Sequence, residues 1–195
     1  TYSTPNLHNK PIENSKKVDD INILKGEIIV NENLIINKPS KILEGTTFTI
    51  NKGKSIIFEN KVDAKGTKEK PIIFQSKSEN DYFGTVAIYG NNTNGSTFEN
   101  VIIQNGSGDI VNDIIYISAL SLHSTKNLKL KNITVKNNSI YDDMMHIIYS
   151  QNIEVENSKF LNAFGDSIDV DISKNISFKN IKIKNSGNDG IDFME

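Results

Sequence analysis

Segments that realign 23 residues apart, apolar residues alternating in very short runs, and asparagines recurring at matching corners predict an all-β chain. The expected form is a single-stranded parallel β-helix, a solenoid with about 23 residues per coil over residues 21–195, preceded by a polar N-terminal arm or cap over 1–20. The stretch Asp143 to Asn157 realigns on Asp166 to Asn180, and Asp189 opens a third copy. Leu120 to Asn132 supplies a fourth, displaced by 25 residues.

Composition agrees. Apolar residues are 36% and charged residues 24% of the chain, with 31 isoleucines and 27 asparagines. A disordered chain lacks such β-branched bulk, and a helical bundle prefers Leu, Ala and Glu. Cysteine is absent, which excludes disulfides and thiol chemistry. All 22 basic residues are lysine and the net charge is -2, so no nucleic-acid partner is expected. No apolar run reaches the roughly 18 residues of a membrane span. No secretory signal is visible, so a mature or trimmed form is expected.

The elements follow in chain order. Residues 1–20 carry Pro5 and Pro11 and little pattern. Ile42, Phe48, Ile50, Ile56, Phe58, Val62, Ile72, Phe74, Val86 and Ile88 then form short apolar pieces, with glycines at or near the turns. Gly106 to Ile117 reads as an insertion, since the corner step from Asn100 to Asn132 is 32 residues. Beyond it each copy holds three strands, the clearest being Leu120-x-Leu122, Leu128-x-Leu130 and Ile133-x-Val135. Asn100, Asn132, Asn157 and Asn180 form one corner column, and Asn105, Asn137, Asn162 and Asn185 a second. Asparagine tolerates left-handed backbone, and its amide can bond from coil to coil. The last copy breaks off at Glu195, which predicts further C-terminal coils or an end-on contact with another chain.

If Leu120, Met145, Ile168 and Ile191 point inward, their successors Ser121, His146, Asp169 and Asp192 point outward as one row, and His123, Ile148, Asp171 and Met194 as another. Asp142, Asp143, Asp166 and Asp189 fall at the corner before them. At a strand spacing of about 4.7–4.9 Å these carboxylates cannot all stay ionised in a dry site. A hard cation such as Ca²⁺ can gather oxygens of Asp166, Asp169, Asp171, Asp189 and Asp192. A held proton is the second remedy, giving an acid beside a base. Splaying into water, or capping corner amides as turn aspartates commonly do, is the third. Asp169 and Asp192 are the least easily explained by turn preference, because strand centres disfavour Asp. With His146 they are the candidate catalytic residues, and Tyr116, His123, Tyr141 and Tyr149 the candidate substrate-binding ones.

Gly53-Lys-Ser-Ile-Ile-Phe58 and Ala64-Lys-Gly-Thr-Lys-Glu-Lys-Pro-Ile-Ile-Phe74 resemble the opening coils of bacterial right-handed parallel β-helix proteins of the pectate-lyase-like group. Tyr141-Asp-Asp-Met-Met-His146, Gly165-Asp-Ser-Ile-Asp-Val-Asp171 and Ser186 to Met194 resemble β-helical regions of bacterial CotH-type proteins. The resemblance implies a right-handed winding, a secreted or cell-surface location and a polysaccharide partner, bound or cleaved by a hydrolase, lyase or epimerase. Neither a kinase signature nor the arginine or lysine base of pectate lyases has a counterpart in this sequence. The rival expectation is a non-catalytic surface or scaffold module, with any activity elsewhere in a longer protein.

Overall fold

A computed structural model describes residues 21–194, and the predicted arm or cap over 1–20 lies outside the described residues. It shows three parallel sheets of seven strands each, with one antiparallel hairpin set against them. The hairpin aside, each sheet receives every third strand, so the chain visits the three sheets in rotation as a parallel β-solenoid.

The first sheet stacks Asn22–Leu24, Ser40–Ile42, Val62–Lys65, Thr97–Glu99, Lys126–Lys131, Gln151–Glu156 and Lys174–Lys179. The second stacks Glu27–Val30, Thr47–Ile50, Ile72–Ser76, Val101–Gln104, Thr134–Lys136, Lys159–Leu161 and Lys182–Lys184. The third stacks Leu34–Ile36, Ile56–Phe58, Val86–Tyr89, Ser118–His123, Asp143–Ile148, Ile168–Asp171 and Asp192–Met194.

Alternation in these short runs sends one set of side chains into a shared interior. All ten apolar residues singled out between Ile42 and Ile88 are there, none more than 1% exposed. Phe48 and Phe74 stack from adjacent turns at 4.6 Å between ring centroids. Outside the first sheet, Lys65, Glu99, Lys131, Glu156 and Lys179 lie opposite one another in succession. The alternating sign keeps like charges from facing one another in this register.

Corners explain the asparagines. The first predicted column has φ of 51°, 54°, 52° and 55°, and the second 62°, 58°, 62° and 60°. Left-handed geometry costs most L-residues about 1–2 kcal/mol, and Asn less. The amides also bond between turns: Asn180 Nδ2 donates to Asn157 Oδ1 at 2.9 Å across 23 residues, and Asn162 Nδ2 to Asn137 Oδ1 at 2.9 Å across 25. A third column, unforeseen, runs Asn175 to Asn152 to Asn127 to Asn94 at 3.0, 2.8 and 2.8 Å.

The insertion is a hairpin. Asp109–Val111 pairs with Ile114–Tyr116 around Asn112 and Asp113, both at positive φ (50° and 63°), as a two-residue turn of matching twist requires. It folds onto the outer face of the third sheet, where Val111 and Tyr116 pack on Ile57 and Ala87. Ser55 Oγ donates to Asp109 Oδ2 at 2.7 Å and pins its base. Among the described residues no helix is long and apolar enough to cross a membrane.

Candidate functional site

Along the outer face of the third sheet one row reads Ile35, Ile57, Ala87, Ser121, His146, Asp169, Asp192, a residue per turn. Its last four members are in the register read from the repeat. The row changes character midway. Ile57 and Ala87 are sealed under the hairpin, while the following turns carry hydroxyl, imidazole and carboxyl groups.

These groups point away from the core yet are not solvated. Asp143 is 2% exposed, and His146 and Asp169 are 6% exposed. Each of the three brings a ligand-type atom within 4.8 Å of the others. His146 Nε2 lies 3.1 Å from Asp171 Oδ2 and 3.6 Å from Asp169 Oδ2, so the imidazole leans toward the next turn. On the preceding turn, Ser118 Oγ and Ser121 Oγ are 2.8 Å apart, with Ser121 Oγ 3.3 Å from Thr85 Oγ1. Asp143 Oδ2, Asp169 Oδ1 and Asp171 Oδ1 are buried without a hydrogen-bond partner.

Local sequence explains how Asp143 comes to be there. In the strand Asp143–Ile148 both Met144 and Met145 enter the core, so simple alternation breaks at its start. Asn138 then fixes the incoming chain: its Nδ2 donates to the carbonyls of Tyr141, Asp142 and Asp143 at 3.3, 3.4 and 2.9 Å. Its Oδ1 accepts the Phe164 N–H at 2.8 Å, tying this connection to the next turn.

Electrostatics follow from the enclosure. Burial pushes the Asp143 carboxyl up to about 8, aided by the negative charges of Asp169, Asp142, Asp166 and Asp171. Burial also raises Asp169, with His146 opposing and Asp171, Asp192 and Asp166 reinforcing the shift. His123 is lowered, first by burial and then by His146.

The remaining sequence candidates separate. Asp166 Oδ1 accepts the Asp189 N–H at 2.6 Å, which is a corner-capping role, and Asp189 itself is exposed. Asp192 lies next to Asp169 in register and is half-buried, its Oδ1 accepting the Phe193 N–H at 2.8 Å. Ile191, expected inward, is 36% exposed, because the strand Asp192–Met194 beside it is the last in its sheet. Asp142, expected on the same acidic face, is exposed, and its carboxylate crowds the Cα of Gly165.

The aromatic candidates gather apart from the carboxylates. Tyr116 is buried, and its ring centroid lies 6.5 Å from that of Tyr89 and 6.0 Å from that of His123. His123 also meets Tyr149, 54% exposed, at 5.7 Å. His123 is therefore the hub of an aromatic group. Tyr141 packs instead against Gly108 at the root of the hairpin.

Asp143 is the participant missing from the candidate ligands read from the sequence, which take Asp166 and Asp189 from the same corner position. Met144 was the available signal: an apolar residue there turns inward and leaves Asp143 facing the cluster. No family model matches this chain, and no curated protein matches it.

Proposed function

We propose that this chain is a right-handed β-helix of about 23 residues per coil, related to the pectate-lyase-like group, that works as a secreted or cell-surface protein. It binds or cleaves an extended polysaccharide along the outer face of its third sheet. The observation that supports this reading is the enclosed row of His146, Asp169 and Asp143 at outward strand positions, where solvated side chains are the norm. Such a row stores electrostatic free energy that a turn-capping role does not require.

On this reading the polymer lies over Asp192 and the exposed ring of Tyr149, which keep access to water, with the largely buried Asp171 beside them. Tyr149 stacks on a sugar face. On this reading Asp192 exchanges a proton with a glycosidic oxygen or a water, as hydrolysis requires, and Asp171 is the second carboxylate. His146, Asp169 and Asp143 set the charge beneath them.

One observation favours the second reading, a non-catalytic surface module: His146 and Asp169 are only 6% exposed, so no polymer reaches them directly. The test is co-sedimentation of the chain with neutral and uronic-acid polysaccharides, followed by assay for new reducing ends and unsaturated products. Retention that Tyr149→Ala abolishes, with products that Asp171→Asn plus Asp192→Asn abolishes, supports the enzyme. Retention without products in any class supports a binding module, and the absence of both supports a scaffold.

A further inference from the structure

Asp143, His146 and Asp169 come from two adjacent strands of one sheet, so their relative positions are fixed by the parallel ladder that pairs His146 with Asp169. Burial separates them from water, and Asp143 Oδ2 and Asp169 Oδ1 still lack any hydrogen-bond partner. Unmet buried oxygens of this kind are costly and call for a ligand. A proton on one carboxyl answers only part of the need, because it leaves the buried oxygen of the other without a partner.

A cation does meet it. Two ligands around an ion with bonds of about 2.1 Å stand roughly 3.0–3.4 Å apart. The 3.6 Å from His146 Nε2 to Asp169 Oδ2 is slightly wider than that spacing, and the ligand atoms of Asp143, His146 and Asp169 all lie within 4.8 Å of one another. Two carboxylates and one imidazole also tell the cations apart. Ca²⁺ takes six to eight oxygens, whereas an imidazole among carboxylates suits Zn²⁺ and its d-block neighbours.

We infer that Asp143, His146 and Asp169 form a binding site for a divalent d-block cation of the Zn²⁺ type, the ion taking His146 Nε2 in place of its 3.1 Å contact with Asp171 Oδ2. The site does not depend on the polysaccharide reading. It is preformed, because Asn138 fixes the backbone of Asp143 through the bond at 2.9 Å.

The experiment uses the whole chain without an affinity tag, stripped with chelator and free of polysaccharide. Zn²⁺, Ca²⁺ and Mg²⁺ are titrated separately by calorimetry, and melting is followed in each. One Zn²⁺ per chain is expected, with a raised melting temperature and no comparable response to Ca²⁺ or Mg²⁺. His146→Gln and Asp143→Asn should each weaken Zn²⁺ binding by more than about a hundredfold while retaining the β-sheet circular dichroism of the parent. Should either variant fail to fold, Co²⁺ titrated into the parent chain reports on the same ligands. Intense visible absorption with resolved d–d bands marks a nitrogen–oxygen site, and the pale spectrum of the hydrated ion overturns the proposal. It is overturned equally if no Zn²⁺ binds, if both variants bind it unchanged, or if Ca²⁺ binds in its place.

Discussion

Replacing Asp143 by Asn should flatten the pH dependence of stability in the chelator-treated protein. The carboxyl of Asp143 is pushed up to about 8 in the folded chain against an ordinary 3.8, chiefly by burial. Between those values the folded state keeps a proton that the unfolded state has released, so stability falls as pH rises through this window. Each pH unit is worth about 1.4 kcal/mol for one fully shifted group, so going from pH 5 to pH 7 should remove at most about 2.7 kcal/mol. For a chain of this size that is roughly 5–10 °C in melting temperature. Asp169, also raised, acts in the same direction. His123, lowered by burial, acts oppositely as pH rises through 6.5. Subtracting the profile of the Asp143→Asn variant from that of the parent cancels most of both contributions. The assay is urea denaturation followed by circular dichroism at pH 5, 6 and 7 in EDTA. Parallel profiles for the two proteins would show that Asp143 does not hold its proton in the folded state, and the electrostatic account of the row would fail.

Three further perturbations test the frame around that row. Asn157→Ala places alanine at φ 52° and removes an amide that accepts from Asn180, and should lose about 2–3 kcal/mol in urea denaturation. Asn157→Gly should lose less, because glycine accepts that geometry without steric penalty. Gly106→Ala would bring a methyl to 2.8 Å from both Ala119 Cβ and Phe83 Cζ, and overpacking should lower stability by about 1–3 kcal/mol on the same assay. Tyr116→Ala should lose about 3 kcal/mol and, by opening the hairpin over His123, move that imidazole back up toward 6.5, which NMR titration measures.

Much of this architecture was legible because a solenoid converts sequence spacing directly into spatial adjacency. The pairing of Ser121, His146, Asp169 and Asp192 follows from the repeat alone, as do the two asparagine columns. What was not legible depends on departures from the period. Asp143 joins the row only because Met144 leaves simple alternation. Tyr116 and His123 meet only because the insertion folds back over the sheet. Asp189 carries the repeat motif as Asp166 does, yet is exposed, so the motif alone does not fix its surroundings.

The hairpin has a bearing on the order of folding. It is made after the strands Ile56–Phe58 and Val86–Tyr89, yet Val111 and Tyr116 pack against Ile57 and Ala87 within them. A chain wound turn by turn would otherwise need only contacts with the turn just completed. The hairpin thus ties the cover of Ile57 and Ala87 to a segment that follows them in the chain, so loosening it exposes an apolar stripe on turns made earlier.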